Sequence, residues 1–240
     1  MNNSIVLAAG AALMLAGCGE KNAEPPATLD AATSVTQARQ VVQAKQSAAA
    51  PRGDAAVPLE SYQELTSGKQ LLYAFLAAST LPINFEKVAE HISPEYSGER
   101  DEFKKRDLLV ALQPAIQREV DKAKVHPYYV MTIGGNVLDK YDFSQQAFRI
   151  PELSDASASR YFYDLSAYRM GFSDAQAFSS LKVADEDTAR SIEGLRSKYQ
   201  ELRLRVYAFV NDTELGQTKA KAQIMRIQLV DKQGRVLAQQ

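Results

Sequence analysis

The sequence predicts an α+β domain in which N-terminal helices are followed by a mostly antiparallel sheet with one further helix inserted. Two observations lead to this prediction. In the first half of the domain, apolar residues recur every three or four positions, which is the period of helices that bury one side. From Pro127 onwards, Tyr, Phe, Val and Ile gather in short runs separated by Gly, Asn, Asp and Ser, as in strands and turns. Helices and strands that are segregated along the chain are typical of the α+β class.

Three helices are predicted in the first half of the domain. The first carries apolar residues at helical spacing, which are Tyr62, Leu65, Leu72 and Leu76. The second begins after Asn84, whose side chain can cap it, and ends before Pro94. The third runs from about Arg100 to Lys124. Because Pro114 removes a backbone donor in its middle, we expect a kink or a break there.

Strands are predicted most clearly near the C-terminus. Residues 202–210 alternate between aliphatic residues and Arg, Tyr or Phe, as expected of a strand with one buried face. Residues 220–230 form a second strand, which a turn containing Gly234 joins to a short third one. The alternation slips near Met225, and we expect a β-bulge at that point. Another tight hairpin turn is predicted at residues 133–136, which include two adjacent glycines.

The inserted helix is predicted at residues 185–198. Its apolar stripe comprises Ala189, Ile192, Leu195 and Tyr199. Its start, Asp185-Glu186-Asp187, can be interpreted as a carboxylate cluster for a cation or as a helix cap. We favour the cap, because negative charge stabilises a helix N-terminus and adjacent helical positions point in different directions.

The 240-residue chain is predicted to consist of three parts. All eleven tyrosines and nine phenylalanines lie at or after Tyr62, which places a single globular domain at residues 59–240. Residues 18–58 contain no aromatic residue and four of the nine prolines. Such a segment buries too little apolar surface to offset the entropy of ordering it, so we expect a flexible linker.

Residues 1–17 are predicted to be a signal peptide. They contain no charged side chain, and their apolar run from Ile5 to Ala16 is shorter than the roughly 20 residues of a membrane span. That length is typical of the core of an export signal. The alternative is an ordinary apolar helix with a buried free thiol at Cys18.

The four residues Leu15-Ala16-Gly17-Cys18 resemble the lipobox of bacterial prolipoproteins. The resemblance implies cleavage between Gly17 and Cys18 and acylation of Cys18, which would anchor the protein in a membrane of the bacterial envelope. Two or more acyl chains give stable anchoring, whereas one chain binds only marginally. Gly19 stands where an aspartate often retains lipoproteins at the inner membrane. The resemblance therefore favours the outer membrane, with the domain facing the periplasm.

Three groups of segments resemble a family of uncharacterised proteobacterial lipoproteins and periplasmic proteins. They are Asp101-Glu102-Phe103-Lys104, Tyr141-Asp142-Phe143 with Phe148, and Leu229-Val230-Asp231 with Gly234-Arg235-Val236. Together they cover a minor part of residues 59–240. The resemblance implies the same compartment and supplies no catalytic residue.

No motif in the sequence identifies a reaction. Lys and Arg total 28 against 29 for Asp and Glu, a balance that does not favour a nucleic-acid partner. The two histidines, His91 and His126, are far from each other and from any metal-ligand spacing. We therefore expect no metal and no cofactor, and an intramolecular disulfide is impossible with one cysteine.

One group of residues is a candidate binding site. Its members are Arg160, Tyr161, Tyr163, Arg203 and Arg205, with Tyr168 and Arg169 beside them. On one sheet face, these side chains would suit sugar rings or an anionic polymer. Alternatively, the aromatic residues belong to the core and the arginines lie over them.

The sequence leaves three functional hypotheses open. The leading one is a lipid-anchored, non-enzymatic envelope protein that binds a protein or an envelope polymer. The second is a periplasmic hydrolase that acts on envelope material through carboxylates. In the third, the helices and a curved sheet enclose a small apolar ligand.

Replacing Cys18 with serine is expected to abolish acylation, because a hydroxyl cannot replace the thiol that receives the lipid. Metabolic labelling with a fatty acid should label the wild-type protein and not Cys18→Ser. Equal labelling of both proteins, or no label on the wild type, would contradict the predicted anchor.

Overall fold

The structure is a computed structural model that describes residues 51–155, 157 and 159–240. The predicted signal peptide, the lipobox and most of the predicted linker lie outside these residues. The described part contains helices and mixed sheets, so the predicted α+β class is confirmed. None of its helices is both long enough and apolar enough to cross a bilayer.

Helices dominate the first half of the described chain. They are α1 (Gly68–Ala78), α2 (Phe85–Ile92), α3 (Pro94–Gly98) and α4 (Glu102–Val125). The α1 helix begins with a capping box. The Ser67 side chain accepts a hydrogen bond from the Gln70 amide, and the Gln70 side chain accepts one from the Ser67 amide. The Asn84 side chain accepts a hydrogen bond from the Lys87 amide, so the predicted cap of α2 is confirmed.

The predicted start of the first helix is wrong. Tyr62 and Leu65 precede α1, because the cap at Ser67 starts the helix later than the apolar spacing indicates. Of the kink or break expected at Pro114, the break does not occur, because α4 is continuous through this residue. Both Pro114 and Val110, whose carbonyl loses its partner, lie on the exposed side of α4. Water can therefore satisfy that carbonyl, and the helix does not have to end.

The larger sheet has seven strands. They are β1 (Gln63–Glu64), β2 (Tyr128–Ile133), β5 (Ser159–Arg160), β6 (Arg169–Phe172), β8 (Leu202–Glu214), β9 (Lys219–Asp231) and β10 (Val236–Gln239). Their order is β1-β2-β8-β9-β6-β5, and β10 also pairs with β9. Only the β1–β2 and β6–β9 pairs are parallel among them. The predicted mostly antiparallel sheet is confirmed, and Gly234 has the positive φ of 82° expected at the β9–β10 turn.

The predicted bulge in β9 is also confirmed. Tyr207 pairs with Arg226 and Ala208 pairs with Ile224, so Met225 is the extra residue. Between these two pairs, β9 therefore has one residue more than β8. Residues after Met225 point to the opposite face from the one that strict alternation would give them.

A second sheet was not predicted. It consists of β3 (Tyr141–Asp142), β4 (Ala147–Arg149) and β7 (Ser180–Lys182), and the short helix α5 (Pro151–Ser154) follows β4. The hairpin predicted at residues 133–136 is wrong, because β2 pairs with β1 and β8 and not with the strand that follows it. Val137 and Leu138 are buried and instead carry the chain towards the second sheet.

The inserted helix is α6 (Glu186–Ser197). Asp185 caps it by accepting a hydrogen bond from the Thr188 amide, which confirms the capping interpretation. Ala189 and Ile192 are buried as expected. Tyr199 is 97% exposed and lies after the end of the helix with a positive φ, so its predicted place on the buried stripe is wrong.

The helices cover one face of the larger sheet, here called the inner face. It is filled by fully buried side chains, including Leu204 and Ile227 from the sheet and Leu72 and Ile116 from α1 and α4. Side chains packed in this way leave little room for a ligand at the centre of this face, so the predicted cone around an apolar ligand is not formed there.

Residues 51–62, here called the strap, lie on the opposite face of the sheet. The Gly53 amide donates to Gln223 Oε1 at 3.0 Å, and the Asp54 amide donates to the Tyr128 hydroxyl at 2.8 Å. The Tyr62 ring packs edge-on against Tyr128 and Tyr207, both at 5.3 Å between centroids. Contacts with the sheet thus begin upstream of residue 59, where the sequence predicted the domain to start.

Two glycine-to-alanine substitutions should shift stability in opposite directions. A Cβ at Gly68 would lie 2.6 Å from Leu165 Cβ and 2.9 Å from its carbonyl oxygen, so Gly68→Ala should destabilise the protein by about 1–3 kcal/mol. Gly194, inside α6, has open space around its Cβ position, so Gly194→Ala should stabilise by about 0.5–1 kcal/mol. Urea unfolding measures both changes, and equal effects would contradict the packing at Gly68.

Candidate functional site

The face of the larger sheet opposite the helices, here called the outer face, carries the candidate site. Strand register aligns Thr132 of β2, Arg205 of β8, Gln228 of β9 and Gln239 of β10 in one row across the sheet. The neighbouring row comprises Val130, Tyr207 and Arg226. Because alternate residues of a strand point to the same side, these side chains share one surface.

A hydrogen-bonded chain runs along the centre of this surface. The Tyr207 hydroxyl donates to Gln228 Oε1 at 3.0 Å, and Gln228 Nε2 donates to Gln239 Oε1 at 3.1 Å. Tyr207 and Gln228 are 5% and 7% exposed, so both polar groups need these partners. These hydrogen bonds hold the polar atoms of Tyr207, Gln228 and Gln239 at fixed positions. Arg205 lies opposite Gln228, and Arg226 lies opposite Tyr207.

The positive charges on the outer face differ in their partners. Arg203 pairs with Glu201 at 2.6 Å. Lys219 pairs with Glu214 at 2.6 Å, and Lys221 pairs with Asp212 at 3.7 Å. Within the described residues, no carboxylate lies within 4.0 Å of the guanidinium groups of Arg205 or Arg226.

Arg205 and Arg226 are consequently the groups best placed to receive an anion. A guanidinium binds a carboxylate or a phosphate through two parallel hydrogen bonds. Both residues are partly exposed, so a ligand can reach them from solvent.

The other predicted binding residues lie at the opposite edge of the sheet. Arg160 of β5 forms an ion pair with Glu152. Tyr161 and Tyr163 pack edge-on at 5.7 Å, and Tyr163 is 94% exposed. The guanidinium of Arg169 lies 5.7 Å from the centre of the Tyr161 ring.

The structure does not bring the two groups of predicted residues together. Arg160 pairs with Met170, and Met170 pairs with Ala220 of β9. Arg205 pairs with Gln228. Gln228 lies eight positions after Ala220 along β9, and at the rise of a strand this separates the two residues by about 26 Å. The prediction that all five residues could share one face is wrong, and they form two separate patches.

Sequence reasoning missed Arg226 and Gln228. Strict alternation from Ile224, which faces inwards, would place both residues on the inner face. The extra residue at Met225 reverses the phase and turns both side chains outwards. The slip in alternation near Met225 was visible in the sequence and is the signal that could have identified them.

A buried carboxylate braces the turn at one end of this surface. Asp231 is 4% exposed and accepts hydrogen bonds from the amides of Gln233 and Arg235 and from the Arg235 guanidinium, at 2.9, 3.0 and 2.7 Å. Burial opposes its ionisation, but these three hydrogen bonds outweigh burial and hold the pKa of Asp231 below its usual value.

The second sheet borders a cavity of about 630 Å³ that contains two carboxylates, those of Asp139 and Asp142. Asp139 forms an ion pair with Arg149 at 3.2 Å. Asp142 accepts hydrogen bonds from the Ser144 side chain and from the amides of Gln145 and Ser144, which lower its pKa.

This cavity does not have the arrangement of an acid/base pair. Acid/base hydrolysis needs a carboxyl group with a raised pKa beside a free carboxylate, and the turn and the ion pair occupy both groups. Among the described residues, no three His, Cys, Asp or Glu side chains are placed to hold a metal ion.

Comparisons with protein-family models, with curated proteins and with solved structures found no match for this chain.

Replacing Asp231 with asparagine should destabilise the protein at pH 7, with a loss that shrinks in acid. A depressed folded-state pKa gives stability that is present above the unfolded-state value of about 3.9 and disappears as the pH falls through the folded-state pKa. The free energy of unfolding, measured in urea from pH 7 to pH 2, should therefore converge for wild type and Asp231→Asn.

The exposed acid Asp107 provides the control for this measurement. Asp107→Asn should leave the pH profile close to that of the wild type. If the difference between wild type and Asp231→Asn stays constant with pH, ionised Asp231 does not brace the turn.

Proposed function

We propose that this protein is a lipid-anchored, non-enzymatic binding module of the bacterial envelope that holds an acidic envelope polymer on its outer face. The observation that carries the proposal is the pair of guanidinium groups, Arg205 and Arg226, without a carboxylate within 4.0 Å in the described chain. They flank the Tyr207–Gln228 hydrogen bond. The predicted lipobox at Cys18 supports the anchor and the compartment.

The shape of the outer face favours a polymer over a small molecule. Small-molecule sites are concave and enclose most of their ligand, whereas the row from Thr132 to Gln239 crosses four strands of the sheet beside the strap. A polymer with repeated acidic groups can occupy both arginines at once, and the second contact then forms at high effective concentration.

We expect this binding to depend on short-range contacts and not on the overall charge of the protein. The net charge of the chain is −1, so no long-range attraction draws an anion to it. Contacts at Arg205 and Arg226 act at short distance, and salt should weaken them.

The predicted linker would give the module its reach. If residues 18–50 behave as a flexible coil, their r.m.s. span is about 30 Å, and their fully extended limit is about 110 Å. That range would allow an anchored domain to contact a polymer layer at a distance from its membrane.

The probe for this proposal is purified peptidoglycan, an insoluble envelope polymer whose peptide stems carry carboxylates. The full chain with Cys18→Ser should sediment with it at low salt. The double variant Arg205→Gln/Arg226→Gln should bind at least tenfold more weakly, because each charge-assisted hydrogen bond contributes about 1.5 kcal/mol or more. Sedimentation over a range of polymer concentrations measures the change.

The double variant Arg106→Gln/Arg118→Gln is the matched control. It removes the same charge from exposed positions of α4, and it should bind as the parent chain does. Equal loss in both double variants would show that net charge alone is responsible. Unchanged binding of the outer-face variant, or no sedimentation of the parent chain, would contradict the proposal.

A further inference from the structure

A second cavity lies at the end of the larger sheet where α4 leads into β2. Its volume is about 270 Å³. Ala74 and Ala77 of α1 line one wall and Ala123 of α4 lines another, while Tyr129 of β2 and Lys124 also border it. The small alanine side chains leave a space with mostly apolar walls between the two helix ends and the sheet.

The hydroxyl of Tyr129 has no hydrogen-bond partner among the described residues. Tyr129 is 4% exposed, yet no fully buried side-chain oxygen in the described chain lacks a partner. Tyr129 borders the cavity. Burial also raises the pKa of Tyr129 to about 12, so the group remains a neutral donor at physiological pH.

The rim of the cavity carries a positive charge. The side chain of Lys124 is 52% exposed, and its Nζ lies 4.0 Å from Asp121, at the limit of an ion pair. So long a contact between exposed groups contributes little, which leaves the ammonium group free to approach another anion.

We propose that this cavity binds the aliphatic chain and carboxylate of a short fatty acid. The chain would pack against the alanines, while the carboxylate accepts a hydrogen bond from Tyr129 and faces Lys124. The cavity is slightly below the usual range of about 300–1,000 Å³ for ligand sites, which suits one short chain. The site uses none of the outer-face arginines and is independent of polymer binding.

Octanoate is the probe, titrated calorimetrically into the full chain with Cys18→Ser. We expect saturable binding at one site. Tyr129→Phe keeps the shape of the cavity but removes the donor, and it should weaken binding about three- to tenfold. Ala77→Leu should abolish binding, because its side chain would occupy the cavity from a partly exposed position.

Four comparisons make the test specific. Ala111→Leu, at an exposed position of α4, should bind octanoate as the parent chain does, and so should Arg205→Gln/Arg226→Gln. Lys124→Gln should weaken octanoate binding, and neutral octanol should bind more weakly than octanoate. Unfolding in urea confirms that Tyr129→Phe and Ala77→Leu are folded.

Several results would overturn the proposal. The first is the absence of saturable octanoate binding by the parent chain. Equal affinity for octanol and octanoate would exclude a carboxylate ligand, and unchanged affinity of Ala77→Leu would place the ligand elsewhere. A change in oligomeric state on Ala77→Leu would instead assign the cavity to contact between copies of the chain.

Discussion

The antiparallel pairing of β8 with β9 is the constraint on which the rest of the structure depends. Both strands have thirteen residues, and β2, β6 and β10 all pair with one of them. Their inward side chains, such as Leu204 and Ile227, are fully buried beneath the helices. Burial of these aliphatic groups fixes the register, because a slip by one residue would turn them to solvent and bring arginine into the core.

The bulge at Met225 gives one strand two different roles. Residues on both sides of it bury aliphatic side chains on the inner face, including Ile224 and Ile227. A regular strand cannot place two residues three positions apart on the same face. The extra residue satisfies both contacts, and it also turns Arg226 outwards beside Tyr207. The same local irregularity thus completes the core and creates the charged surface that we propose binds a polymer.

The two proposed sites differ in how their polar groups are satisfied. On the outer face, Tyr207, Gln228 and Gln239 satisfy one another, so charge capacity remains only on the neighbouring arginines. In the cavity, the Tyr129 hydroxyl has no partner in the described chain, and the surrounding alanines cannot supply one. The first arrangement suits an extended anion, and the second suits a small molecule with one acceptor.

The sequence by itself determined the α+β class, the caps at Asn84 and Asp185, the β9–β10 hairpin and the bulge, because each depends on neighbouring residues and on local periodicity. The tertiary structure alone decided that α4 continues through Pro114, that Tyr199 is exposed and that β3, β4 and β7 form a second sheet. It also separated Arg160 from Arg205, which the composition of the two segments could not reveal. Which strands become neighbours depends on contacts between distant parts of the chain, and local pattern carries no information about that order.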